Sequence, residues 1–143
     1  NSFVTGGGNI YSFGSIIAPQ VDVPGFGLGE SFITTVLLQV RTQGTEIDPL
    51  SVLLGGSGPT QVVELARSPL GGFGGAIVDT LFRFDVTGNA AGYTLQFRSL
   101  SSSMSLDRIA VDTFAAVPSP GAAALAAIAA GAALRRRRSP RGM

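Results

Sequence analysis

The sequence predicts an all-β fold, an antiparallel β-sandwich of jelly-roll-like kind, followed by one short apolar helix at the C-terminus. Three observations predict it. About seven short stretches rich in β-branched and aromatic residues repeat with a period of two. Between them stand turns drawn from twenty glycines and eight prolines. No helical periodicity is found before residue 114. Many short strands with Gly-rich turns are the signature of two packed β layers.

In chain order, residues 1–9 read as a frayed beginning and residues 10–17 (IYSFGSII) as the first strand. A loop with Pro19, Pro24 and three glycines follows. Residues 32–41 form the clearest strand, with Val36, Leu38 and Val40 on one face and Leu37, Gln39 and Arg41 on the other. One dry and one partly wet face is what an antiparallel strand at a core boundary needs. Residues 45–49 turn, 50–54 are a short strand, and 55–59 break it. Residues 61–66 are a further strand, and residues 70–75 (LGGFGG) a loop. Residues 77–86 place Val78, Thr80, Phe82, Phe84 and Val86 on one face. Gly88 and Asn89 open a turn to residues 93–99, where Tyr93, Leu95 and Phe97 alternate with polar residues. These two segments read as neighbouring antiparallel strands. The polar run 99–105 reads as a hairpin turn into the last strand, 104–114. That strand contains a slip: Met104 and Leu106 point inward at even numbers, Ile109 and Val111 at odd ones. One extra residue near Asp107 and Arg108 reconciles them, so a β-bulge is predicted there.

Composition removes several function classes. The chain has no Cys and no His, which excludes thiol nucleophiles, Cys/His zinc sites, disulfides and histidine-dependent triads. All ten basic residues are Arg, and five of them (Arg135, Arg136, Arg137, Arg138 and Arg141) lie in the tail. The other five stand against nine carboxylates and leave the body at −4. A body of that sign is not expected to bind nucleic acid, which needs a clustered basic surface. A glycosidase needs two carboxylates facing each other across about 5–10 Å. Asp79 and Asp85 instead alternate with apolar residues and face outward, Asp107 and Asp112 flank the bulge, and Glu46 and Asp48 sit in a turn. Asp22, Asp48 and Asp107 are loop oxygens of the kind calcium takes, but no Asp-x-Asp-x-Asp-Gly loop is present, and no metal or cofactor is expected. The run from Gly25 to Gly29 lacks the Gly-Lys-Ser/Thr ending of a phosphate loop. No His or Lys stands ready to activate the Ser and Thr hydroxyls. The body is therefore not expected to be an enzyme. Sugar binding uses exposed aromatic rings, for which Tyr11, Phe26, Phe73 and Tyr93 come into question. The alternation of Tyr93 with Leu95 and Phe97 assigns it to the core, and Phe26 and Phe73, in their Gly-rich loops, are the ligand-binding candidates.

The tail has three parts: Val117-Pro118-Ser119-Pro120, the segment 121–134, and Arg135-Arg136-Arg137-Arg138. Ser119 is a suitable N-cap and Pro120 a suitable first helical residue. Every residue from 121 to 134 is Ala, Leu, Ile or Gly, so a helix there has no polar face and belongs in lipid or a large core. At ~1.5 Å per residue it spans roughly 21 Å, short of the ~30 Å of a bilayer core. It is a marginal span rather than a durable anchor. The arginines hold its end on the cytoplasmic side, which places the body outside. Residue 1 is Asn, so the reading frame is expected to start upstream, with room for a secretory signal peptide.

This order of motif, apolar helix and Arg cluster resembles a PEP-CTERM sorting signal, with Ser119 where that family carries Glu. The body is similar, more loosely, to uncharacterised β domains ahead of such tails, through YSFG, TTVLLQVRTQGTEID, GGFGG and SMSLDRIAVDT. The resemblance implies an exported bacterial protein tethered transiently in the inner membrane. An exosortase, a membrane protease/transpeptidase, cleaves near the motif and passes the body to the cell surface or extracellular matrix, in the company of exopolysaccharide. The expected organisation is a β domain over 1–113, a linker with the motif over 114–120, a transmembrane sorting helix over 121–134 and a basic cytoplasmic tail over 135–143. A carbohydrate-binding module acting through loop aromatics is the alternative reading of the body.

Overall fold

Period-two patterning with one apolar face builds two antiparallel sheets around a shared core. The structure, a computed structural model, describes residues 2–72 and 74–118. Its strands are β1 (Ser2–Val4), β2 (Ile10–Ser12), β3 (Gln20–Pro24), β4 (Gly29–Gly44), β5 (Leu53–Leu54), β6 (Gln61–Pro69), β7 (Ala76–Asn89), β8 (Gly92–Gln96) and β9 (Met104–Ala116). A six-stranded sheet has the order β1-β2-β9-β4-β7-β6, and a three-stranded sheet the order β3-β8-β5. The all-β, antiparallel character expected from the pattern is what the described residues adopt.

β4 lies at the centre of the larger sheet and pairs with β7 on one edge and β9 on the other. Its inward residues Val36, Leu38 and Val40 are sealed from solvent. They meet Phe82 and Phe84 of β7, Met104 and Leu106 of β9, and Val23, Leu54 and Leu95 of the smaller sheet in one core. Ile109, Val111 and Tyr93 pack against its margin. Between β4 and β5, Asp48 caps a 3-10 turn at Pro49–Ser51, its side chain accepting the Leu50 N–H.

The bulge lies where the alternation slips. Arg41 is opposite Arg108 and Thr42 is opposite Leu106, so Asp107 is the residue without a partner on β4. A second bulge falls in β6, where Glu64 faces Thr80 and Ala66 faces Asp79, leaving out Leu65. β6 is an edge strand, and a bulge there twists away a row of unpaired backbone groups.

Several expectations are corrected. Residues 77–86 and 93–99 are not neighbouring strands: β7 is flanked by β4 and β6, and β8 lies in the other sheet. Both edges of β7 are taken, so the chain crosses at Ala90 and Ala91, and the apolar faces of β7 and β8 meet across the core instead of side by side. For the same reason residues 99–105 are an inter-sheet connection and not a hairpin turn. Ser99 is buried in it, receives the Ile17 N–H and donates to the Ser101 carbonyl. The frayed start contains β1, paired with a β2 that ends at Ser12, and the loop with Pro19 and Pro24 contains β3. β9 runs to Ala116, past the expected domain boundary. The apolar segment 121–134 lies outside the described residues.

Deleting Asp107 straightens β9 and preserves every inward residue and every pairing with β4, at the loss of one exposed Arg41–Asp107 contact. We expect this variant to unfold in denaturant within about 1 kcal/mol of the parent. Deleting Ala110 lets the strand realign only by turning Arg108 to the core face, and is expected to cost on the order of 3 kcal/mol or more.

Candidate functional site

Of the residues singled out in the sequence, Phe26 has the most developed surroundings. It lies in the β3–β4 connection, which a single buried side chain pins. Asn89, at the end of β7, accepts the backbone N–H groups of Phe26 and Leu28 through Oδ1, each at 3.1 Å. Its Nδ2 donates to Thr34 Oγ1 at 2.9 Å, and Thr34 Oγ1 donates in turn to the Gly88 carbonyl at 2.7 Å. The Tyr93 hydroxyl donates to the same Thr34 oxygen at 3.1 Å and accepts the Ala90 N–H at 3.0 Å. The Gly25 and Gly27 N–H groups donate to the Ala91 and Ala90 carbonyls. A Cβ on Gly25 would run into the Ala90 carbonyl oxygen, so glycine is required for this approach.

The result is a fixed loop that holds the Phe26 ring in solvent, 62% exposed. Beside the ring a groove of about 290 Å³ opens between β3 and β9, lined by Val21, Asp22, Val111 and Thr113. An aromatic face next to one carboxylate and one hydroxyl suits a ligand with both apolar and hydroxyl faces. Tyr93, expected in the core, is partly buried and spends its hydroxyl on the Asn89 network. Phe73 lies outside the described residues.

Six carboxylates are engaged in ion pairs and hydrogen bonds. Asp79 accepts from Gln39 Nε2 at 2.8 Å and from Arg108 at 3.2 Å. Asp85 accepts from Arg83, Thr35 and Thr60. The Arg83 guanidinium and the Thr35 hydroxyl hold its carboxyl down at about 2. Six residues apart on one strand, Asp79 and Asp85 stand roughly 20 Å from each other, too far to share a glycosidic bond. Arg67 binds both Glu46 and Glu64, which raises the guanidinium above its usual range and lowers the Glu64 carboxyl. Asp48 pairs with Arg98, and Asp107 with Arg41. All five arginines of the body are thus paired, and the remaining negative charge sits on Asp22, Glu30 and Asp112 and on the Glu46–Arg67–Glu64 group, where one arginine meets two carboxylates. Asp22, Asp48 and Asp107 fall on β3, before the 3-10 turn and in the β9 bulge, and among the described residues no three acidic side chains form a metal-binding group.

The sorting residues are partly in view. Val117 and Pro118 follow β9 directly, and both are exposed. Ser119, Pro120 and Arg135, Arg136, Arg137 and Arg138 lie outside the described residues. Sequence reasoning passed over Phe3 and Phe13, which cluster with Tyr11 on the outer face of the larger sheet. The i, i+2 placement of Tyr11 and Phe13 is the signal that finds them. Comparison of the chain with protein-family models, curated proteins and solved structures returned no match.

Replacing Asn89 by Ala removes the acceptor for two backbone donors and the donor to a buried Thr34. We expect a loss of about 2–3 kcal/mol in urea unfolding, with faster hydrogen exchange at the Phe26 and Leu28 amides. Unchanged exchange at those two amides would show that the loop is held by other contacts.

Proposed function

We propose that this chain is an exported, non-enzymatic surface or extracellular-matrix protein whose body is sorted through a PEP-CTERM-like C-terminal signal. The observation that carries the reading is the order of the tail: Val117-Pro118-Ser119-Pro120, an apolar segment, then four arginines, directly behind a folded β body. The exposure of Val117 and Pro118 one step past the last strand supports it, because a membrane protease needs an extended, accessible substrate. In this account the two sheets form a jelly-roll-like β-sandwich that serves as cargo. The apolar segment tethers it to the inner membrane, the arginines mark the cytoplasmic side, and an exosortase releases the body to the cell surface or matrix.

A second reading is favoured by the groove at Phe26: the body binds carbohydrate through that ring, in attachment to exopolysaccharide or the envelope. An exposed aromatic on a loop that is already ordered loses little entropy on binding.

Expression in a host with its exosortase is expected to give a shortened body outside the inner membrane. The same host without the enzyme is expected to retain the full chain in the membrane fraction. An identical full-length, membrane-bound product in both hosts contradicts the sorting reading.

A further inference from the structure

We propose that the outer face of the six-stranded sheet carries a binding site for neutral saccharides at its β1–β2 end, built on Phe3, Tyr11, Phe13 and Gln43. The register places Phe3 beside Tyr11, Tyr11 beside Ser105, and Ser105 beside Gln43, so four strands contribute one lateral row. At ~4.8 Å per strand the row from Tyr11 to Gln43 covers roughly 10 Å. Phe3 and Phe13 lie 6.4 Å apart with ring planes 25° from parallel. Tyr11 stands edge-on to both, at 5.9 Å from Phe3 and 4.6 Å from Phe13. Phe13 is 70% exposed and Phe3 49% exposed, so the trio is a surface platform and not a plug.

The platform is held in place. Ser103 Oγ donates to the Phe13 carbonyl at 3.0 Å, and the Ser15 N–H donates to Ser12 Oγ at 3.2 Å, fixing the bend that presents the Phe13 ring. Beside it lies a cleft of about 350 Å³, lined by Tyr11, Gln43, Leu70, Ser103 and Ser105 among others. That volume is at the lower end of small-ligand sites.

The lining chooses the ligand. Among the described residues it carries no charged side chain, and the ion pairs Arg41–Asp107 and Arg108–Asp79 neutralise themselves. Among the described residues the Tyr11 hydroxyl and the Gln43 carboxamide make no hydrogen bond, so both are open to a ligand that donates and accepts. A pyranose offers what this surface lacks: a C–H face for the rings and hydroxyls for the amide and phenol. Among the described residues an anion finds no free cation here, and a purely apolar partner would leave the amide unpaired. The site needs no part of the sorting reading. It shares its ligand class with the second reading above but none of its residues, since Phe26 precedes the start of β4 and Gln43 lies at that strand's far end.

The test uses the full chain in a detergent without a sugar headgroup. Probes are oligosaccharides of the maltose, cellobiose and chitobiose series, with polygalacturonate as the acidic control, and binding is read by calorimetry and by tyrosine emission. With no Trp in the chain, that emission comes from Tyr11 and Tyr93, and a Tyr93→Phe background leaves Tyr11 as its one source. The expected result is saturable binding in at least one neutral series and none to polygalacturonate. Phe13→Ala and Gln43→Ala, both at exposed positions, each weaken it at least about tenfold, with unchanged melting temperature, while Phe26→Ala leaves it intact. No saturable binding in any neutral series overturns the proposal, and so does binding that survives the Phe13→Ala/Gln43→Ala double variant. Binding lost on Phe26→Ala alone also overturns it, and leaves the groove beside Phe26 as the saccharide site.

Discussion

β4 is hydrogen-bonded along nearly its whole length on both edges, and the rest of the structure is arranged by that pairing. β7 and β9 are fixed to it residue by residue, from Ile33 to Gly44. Because Val36, Leu38 and Val40 must stay in the core, the faces of β7 and β9 are fixed too, and β9 meets the demand by extruding Asp107. A slip of one residue would turn an entire apolar set to solvent. The smaller sheet packs Val23, Leu54 and Leu95 into the core formed with this three-strand unit, while the edge strand β6 is exposed along nearly its whole length. The two candidate ligand surfaces lie apart: the Phe26 groove opens where β3 meets β9, and the aromatic platform stands on the outer face at β1 and β2.

The central strands were legible in the sequence because burial there follows a strict period of two. Val36 to Val40, Phe82 with Phe84, and Leu95 with Phe97 all point inward as the alternation requires. The Asp107 bulge was legible for the same reason, since a change of parity within one strand has few structural solutions. Strand neighbours were not legible. The segments ending at Asn89 and beginning at Gly92 show the short spacing of a hairpin, yet the chain crosses between sheets there. What decides it is that β7 has no free edge, a fact of tertiary pairing that local sequence does not carry. The short strands β1 and β3 were missed because glycines and prolines dominate their surroundings and pairing partners supply their order.

For the sites, residue type was the informative level. The lack of His and Cys was readable at once, and Phe26 stood out as an aromatic among glycines. The part played by Asn89 was hidden, because an Asn after a Gly reads as turn chemistry and its partners lie 55 to 63 residues away. The Phe3–Tyr11–Phe13 cluster was hidden in a stretch that resembled a frayed terminus.

The body and the tail answer different physical demands. The body satisfies its buried polar groups internally: its five arginines are paired, and among the described residues no buried side-chain donor or acceptor lacks a partner. The segment after Pro118 is apolar without a polar face and then strongly basic, a pattern suited to lipid and its cytoplasmic boundary. In the proposed account the two are separated at the proline motif. The most direct measurement is the intact mass of the protein recovered from the surface or medium of an exosortase-bearing host. The account predicts a chain that ends beside the motif, between Val117 and Gly121. A recovered chain still ending at Met143 would contradict it.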